Sequence, residues 1–240
     1  MPDNGGTTTK GARSVTHLNI GSVIFPDLDQ VDLTGPHEIL SRLPDSTWRL
    51  YGPSLDPVTD MRGLRILPDA VLEDAPPLDV LHVPGGFGVD AAMRDRRLLE
   101  WLKRQAEGAK LVFTVCTGSL LLGATGLLRG RRATTHWASH HLLPLLGATP
   151  VDERVVEDGK FVTAAGVTSG FDGALHVAAK LRGADTAQFI QLYMQYDPHP
   201  PFQAGNPRTA PAATRDQATA AFANVVAARE AVLRGLDLAG

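Results

Sequence analysis

A single cysteine in 240 residues leaves no partner for an internal disulfide, so the fold rests on its core rather than on covalent staples. Long apolar runs are absent too. None approaches the roughly 20 residues that span a bilayer, and the opening stretch MPDNGGTTTKGARSV has neither the apolar h-region nor the cleavage site of a secretory signal. The cytoplasm is the expected compartment, with no membrane partner. Neither sign of charge is in excess. A formal net charge of −3 and a pI near 6.2 create no field that would gather nucleic acid or anionic lipid. What is present is globular in character: 43% hydrophobic and 20% charged residues are enough for one large core. A single domain is expected, and small-molecule chemistry stays open.

Along the chain, residues 1–15 are polar, glycine-rich and aperiodic, and read as a disordered leader. HLNIGSVIF then reads as a buried strand, followed by a loop holding Asp27, Asp29 and Asp32 and by a helix opening near Pro36. TWRLYGP and LRILP look like short strands, and DVLHV is an apolar strand ending in Pro84-Gly85-Gly86. AAMRDRRLLEWLKRQAEG places Leu98, Leu99 and Leu102 on one face, as a covering helix does. KLVFTV is the next buried strand, and CTGSLLLGATGLL leaves it as a helix. HWASHHLLPLLG is expected to be helical, RVVEDGKFVTAAG to be a hairpin turning at Asp158-Gly159, and TSGFDGALHVAAKL and ADTAQFIQLYMQY to be two helices. Alternating strands and helices imply a mostly parallel sheet sandwiched by helices. The tail differs. DPHPPFQAGNPRTAPAA holds five prolines, and an alanine-rich helix follows it. Residues 16–196 therefore read as the catalytic domain. Residues 197–240 read as an arm and terminal helix, packed on the domain or on a partner subunit.

Ligands of an open α/β sheet gather beyond the carboxyl ends of its strands, which is where Cys116 falls. The strand-like Leu111–Val115 precedes it, and Thr117-Gly118-Ser119 are small enough to turn the chain sharply into a helix. That is the pattern of a nucleophile elbow, with its strained backbone and exposed side chain. The adjacent helix N-terminus is expected to favour the thiolate and lower the pKa. A buried, inert cysteine is the plainer alternative. Gly85 and Gly86 let backbone N–H groups approach a ligand and could form an oxyanion hole, or could simply end a strand.

With these motifs in hand, the chain resembles the ThiJ/PfpI superfamily over about His17 to Tyr196. Its signposts are Asp32-Leu33-Thr34-Gly35-Pro36, Pro84-Gly85-Gly86, Val115-Cys116-Thr117-Gly118-Ser119 and Ala133-Thr134-Thr135-His136-Trp137. The resemblance implies a flavodoxin-like, class I glutamine amidotransferase-like fold and a homodimer. Within the superfamily it runs to members that add water to an isocyanide, giving an N-substituted formamide, and it extends into Pro200-Pro201-Phe202-Gln203-Ala204-Gly205. Those members carry threonine after the cysteine and aspartate on the first loop. Peptidase-like members carry histidine and glutamate there, so peptide hydrolysis is disfavoured.

The resemblance implies Cys116 as nucleophile, Asp32 as acid and Thr117 as orienting hydroxyl, with no cofactor and no metal. For that role Asp32 must be protonated near neutral pH, which requires burial or a neighbouring thiolate; otherwise it reads as a helix cap. His136 is an auxiliary candidate for a Cys–His pair. His136 and His140 have i, i+4 spacing, yet no HExxH glutamate or ligand cysteine accompanies them. Sensor domains of AraC-type regulators share DLTGP and CTGS, but no helix-turn-helix module is expected between Tyr196 and Gly240. The remaining rivals are a redox sensor or small-molecule-binding protein built on Cys116 and a glyoxalase-like hydratase.

Overall fold

LNIGSV buries side chains on both faces, as a central strand of a parallel sheet must, and forms β1 (Leu18–Val23). A computed structural model of the chain describes residues 16–236; the expected leader over 1–15 lies outside them. After β1 comes α1 (Gln30–Leu40), capped by Asp29, whose Oδ1 accepts the Val31 N–H at 3.0 Å. This helix starts a turn and a half earlier than expected, with Pro36 inside it. Asp32 is accordingly a buried residue of the first helical turn, not a loop residue and not the cap.

Next come β2 (Ser46–Gly52), the short β3 (Val58–Thr59), β4 (Arg65–Ile66) and β5 (Ala70–Val71), and then β6 (Val80–Val83). The segment read as one covering helix is two, α2 (Val89–Ala92) and α3 (Arg96–Gly108), because the side chain of Asp95 takes the Leu98 N–H and restarts the helix. β7 (Leu111–Val115) leads into α4 (Gly118–Gly123), which ends sooner than expected. Between β8 (Arg132–Ala133) and β9 (Thr149–Pro150), residues Trp137–Leu146 form a 3-10 helix rather than an α-helix. β10 (Val155–Asp158) and β11 (Phe161–Ala164) are the expected hairpin, with Gly159 at φ 63° in its turn. Three helices follow: α5 (Ser169–Arg182), α6 (Ala184–Tyr193) and α7 (Ala212–Arg234).

Seven strands form the central sheet in the order β10-β11-β7-β6-β1-β2-β5, parallel except for the edge strand β10. LRILP, read as a sheet strand, instead pairs as β4 with β3 in a separate two-stranded ribbon. One face carries Ile20, Ile39, Leu40, Phe113, Val162 and Val177 under α1 and α5; the other carries Leu81, Trp101, Leu102, Val112, Leu121 and Leu143. The chain passes from β1 to β2 on one side and returns to β6 on the other. This reversal opens a crevice at the carboxyl ends of β1 and β6, the usual ligand position in such sheets. Helix α7 packs on the 3-10 helix and on α2 of the same chain, burying Val232 and Leu233.

Close approach of α5 to the sheet depends on Gly173, where an added Cβ would lie 2.7 Å and 2.8 Å from the Phe113 ring. A Gly173→Val substitution is expected to cost about 1–3 kcal/mol through overpacking, read as a lower urea midpoint at unchanged m-value.

Candidate active site

Four parallel strands, β11, β7, β6 and β1, end side by side, and the loops they feed carry most of the candidate residues. At the end of β7, Cys116 has φ 56°, the left-handed region a non-glycine residue rarely adopts. Such a conformation costs on the order of 1–3 kcal/mol and persists only where its surroundings impose it. Here they do. The Cys116 N–H donates to the Ala164 carbonyl at 3.0 Å, and its own carbonyl accepts the Thr135 hydroxyl at 2.9 Å and the Ser119 hydroxyl at 3.1 Å. The strained backbone of the expected elbow is present, but the Cys116 side chain is buried rather than exposed; Thr135, a signpost without an assigned role, is one of the clamps.

Asp32 reaches the elbow from α1. Its Oδ2 accepts the Gly85 N–H at 3.0 Å, while Oδ1 is buried and has no hydrogen-bond partner among the described residues. Thr117 does not bond to Asp32. Its hydroxyl accepts the Gly86 N–H at 3.0 Å and donates to the Gly86 carbonyl at 3.1 Å, so it holds the turn that in turn holds Asp32. Both glycine N–H groups are therefore engaged by side chains of the site, which corrects the reading of Gly85 and Gly86 as an open oxyanion hole. Gly85 is required for a different reason: a Cβ there would stand 2.6 Å from the Thr117 nitrogen and 2.9 Å from Asp32 Oδ2.

The electrostatics also correct an expectation. The Cys116 thiol is pushed up well above its ordinary value, first by burial and then by the Asp32 carboxylate; the Thr117 N–H pulls the other way but more weakly. A helix of one and a half turns does not outweigh that burial. Asp32 is likewise raised, by burial and by the charge of Asp29, against the Gly85 hydrogen bond and the thiol. Two buried acids in contact cannot both ionise, so the pair holds at least one proton and one negative charge at most.

Beneath Asp32 lies His82, wholly buried, with Ser22 Oγ 2.8 Å from Nδ1. Pro36 has no N–H to offer the Asp32 carbonyl four residues earlier, and the His82 ring faces that carbonyl. Burial nonetheless brings His82 down to about 3, so the ring is neutral.

In front of Cys116 is a cavity of about 220 Å³, lined by Asp29, Met61, Phe87, Val167, Phe222 and Arg229 among others. His136 is on its wall, packed against Trp137 and Phe222. Burial and the Arg229 charge lower His136 to about 4, and its Nδ1 accepts the Ala138 N–H; among the described residues no hydrogen bond joins it to Cys116, and His136 is not among the groups that shift the thiol. His136 caps the 3-10 helix that carries His140; with three residues per turn, i and i+4 no longer share a face. The sequence reading missed Arg229. It is 4% exposed and donates to Asp90 at 2.7 Å, to Ser139 at 3.0 Å and to the Gly86 carbonyl at 3.5 Å. Its signal was the helical row Phe222, Val225, Val226, Arg229, Val232, Leu233, in which one cation interrupts an apolar stripe.

A strained cysteine on a strand-to-helix elbow, with a buried carboxyl beside it at the switch point of a parallel sheet, defines an α/β protein of the cysteine-elbow class. Residues 20–180 match the DJ-1/PfpI family, and the chain belongs to it. Over 201 residues it is 52% identical to the isonitrile hydratase of Pseudomonas putida, covering 84% of this chain and 88% of that one. The glutathione-independent glyoxalase DJR-1.2 of Caenorhabditis elegans is 29% identical over 136 residues, 56% of this chain and 73% of that one. Among solved structures, a ThiJ/PfpI family protein from Pseudomonas syringae superposes with a TM-score of 0.90 at 38% identity over 97% of both chains.

Because the unfolded His82 ring takes a proton near 6.5 and the folded ring only near 3, acid favours the unfolded chain. Stability contributed by the neutral ring is intact above about pH 6.5 and is lost as pH falls toward 3, at about 1.4 kcal/mol per pH unit for one proton. A His82→Gln variant is expected to show a shallower loss between pH 6 and 4 by that amount, whatever its stability at pH 7, in urea denaturation at stepped pH.

Proposed function

We propose that the chain is an isocyanide hydratase, converting an isocyanide and water to an N-substituted formamide with no cofactor. The observation that carries this reading is the buried Asp32 carboxyl group beside the Cys116 thiol, a proton carrier next to a nucleophile that lines a largely apolar cavity. The 52% identity to an isonitrile hydratase supports it.

An isocyanide carbon accepts a nucleophile and then needs a proton on the same carbon. In the proposed sequence the thiol proton passes to Asp32 as sulfur attacks, which creates the thiolate only when it is used. Asp32 then delivers that proton to the carbon, leaving a thioimidate, R–N=CH–S–Cys116. Asp32, again a carboxylate, takes a proton from water as the water oxygen adds to the carbon, and passes it to nitrogen. Collapse of the adduct breaks the C–S bond, returns the hydroxyl proton to sulfur and releases R–NH–CHO. Thr117 and Gly85 act by position: the first fixes the Gly86 peptide, the second leaves room for Asp32.

A redox-sensing role is disfavoured by the same electrostatics, because oxidation proceeds through a thiolate that burial and Asp32 oppose. A single unpaired thiol is suited to the reducing cytoplasm, where the protein is proposed to act.

Cys116→Ala is expected to abolish formamide formation from an aliphatic isocyanide, and Asp32→Asn to lower kcat by about 10²–10⁴-fold, followed by infrared loss of the isocyanide band. Full activity of either variant, or lactate formation from methylglyoxal in place of isocyanide turnover, would overturn the reading.

The homodimer is part of the proposal. Helix α6 exposes Phe189, Leu192 and Tyr193 at 68%, 80% and 64%, an apolar face unusual on a lone subunit. Light scattering is expected to give twice the chain mass, and a Leu192→Asp substitution to halve it.

A further inference from the structure

Hydration consumes water as well as an isocyanide, and the groups assigned so far do not hold that water. Asp32 is wholly buried, and the wall of the cavity in front of Cys116 is formed without it. A water molecule in the cavity therefore needs another acceptor to hold it until its proton passes to Asp32. We infer that Asp29, the one carboxylate on that wall among the described residues, is a further catalytic residue, the acceptor that holds the water attacking the thioimidate. The inference rests on the proposed function and adds to it the site of the second substrate.

Water is oriented by the acceptors it can reach, and the cavity offers few. The Thr117 hydroxyl both accepts from and donates to Gly86, the Gly86 carbonyl takes Thr117 and Arg229, and the Ser139 oxygen accepts Arg229. His136 Nδ1 accepts the Ala138 N–H, which leaves the proton of the neutral ring on Nε2, a donor. Asp29 differs. Its Oδ1 accepts the Val31 N–H at 3.0 Å as the cap of α1, while Oδ2 has no hydrogen-bond partner among the described residues. The group is also fixed beside the reacting pair. The Asp29 N–H donates to the Gly85 carbonyl at 2.9 Å, and the N–H of the same Gly85 holds Asp32 Oδ2 at 3.0 Å, so one glycine ties both acids to one turn.

Charge separates the two halves of the reaction. The Asp29 carboxylate opposes ionisation of both Cys116 and Asp32, which is no help to attack by sulfur, and a neutral Asn or Ser would cap α1 as well. Once the thioimidate has formed, the same charge is favourable: it accepts a hydrogen bond from water and makes the Asp32 carboxylate a stronger base. In this step water donates one O–H to Asp29 Oδ2, its other proton passes to Asp32 and on to nitrogen, and its oxygen bonds to the carbon, giving R–NH–CH(OH)–S–Cys116. The hydroxyl proton held at Asp29 returns to sulfur as the C–S bond breaks.

Asp29→Asn spends its single oxygen on the cap and turns an amide N–H toward the cavity, and Asp29→Ser caps α1 with no second acceptor; both keep the helix. With cyclohexyl isocyanide each is expected to lower kcat about 10–100-fold, the worth of one charge-assisted hydrogen bond, while attack by sulfur persists. Rapid-quench traces then show a burst of isocyanide loss equivalent to the enzyme, and intact-mass spectra show Cys116 carrying one isocyanide, an adduct that wild-type protein does not accumulate. Loss of a helix cap alone would not move the slow step in this way. Wild-type kcat in both variants, or a lowered kcat with neither burst nor adduct, overturns the inference and leaves the hydratase reading standing. Wild-type protein that fails to hydrate cyclohexyl isocyanide overturns both.

Discussion

The missing side chain at Gly85 lets two backbones, a hydroxyl and a carboxyl group share a space that a single methyl group would fill. Through that space the N–H of Gly85 reaches Asp32, Thr117 reaches across to Gly86, and the first turn of α1 comes down on the elbow. Most of what the site offers depends on this contact. Asp32 is buried because α1 can approach, the turn after β6 is rigid because Thr117 clamps it, and Cys116 is held left-handed between β11 and the clamping hydroxyls of Ser119 and Thr135. Pro36 and His82 belong to the same device, since the proline leaves the Asp32 carbonyl without its helical partner and the imidazole faces it.

Burial then decides the chemistry. A cysteine and an aspartate in water ionise several pH units apart, the acid first. Set side by side out of solvent, both are raised, and the charge of either opposes the charge of the other. The result is a pair suited to moving a single proton: sulfur need not rest as a thiolate, and the carboxyl group can give up and recover its proton at one oxygen. Arg229 contributes a compensating positive charge from a different layer of the molecule, close enough to lower both the thiol and His136.

Much of the architecture was legible in the chain. DVLHV and KLVFTV were recognisable as the strands β6 and β7 because strands buried on both faces carry few polar residues. The hairpin at Asp158-Gly159 was marked by its turn residues. Helix boundaries were less so. Pro36 suggested a helix start, but a side-chain cap at Asp29 took precedence, and Asp95 split a periodic segment by the same means. In each case one local hydrogen bond, invisible to periodicity, moved the boundary.

Sequence alone determined that a lone cysteine follows a buried strand and precedes small residues, and this is sufficient for an elbow, because the turn is a local matter of steric bulk and backbone angle. It also supplied the partner acid, Asp32, through its motif. Tertiary structure alone decided what these groups would do. The protonation of Cys116 and Asp32, the engagement of both glycine N–H groups and the entry of Arg229 and Phe222 into the cavity all arise from residues far apart in the chain. Desolvation and Coulomb interaction depend on distance in space, and a sequence records only distance along the chain.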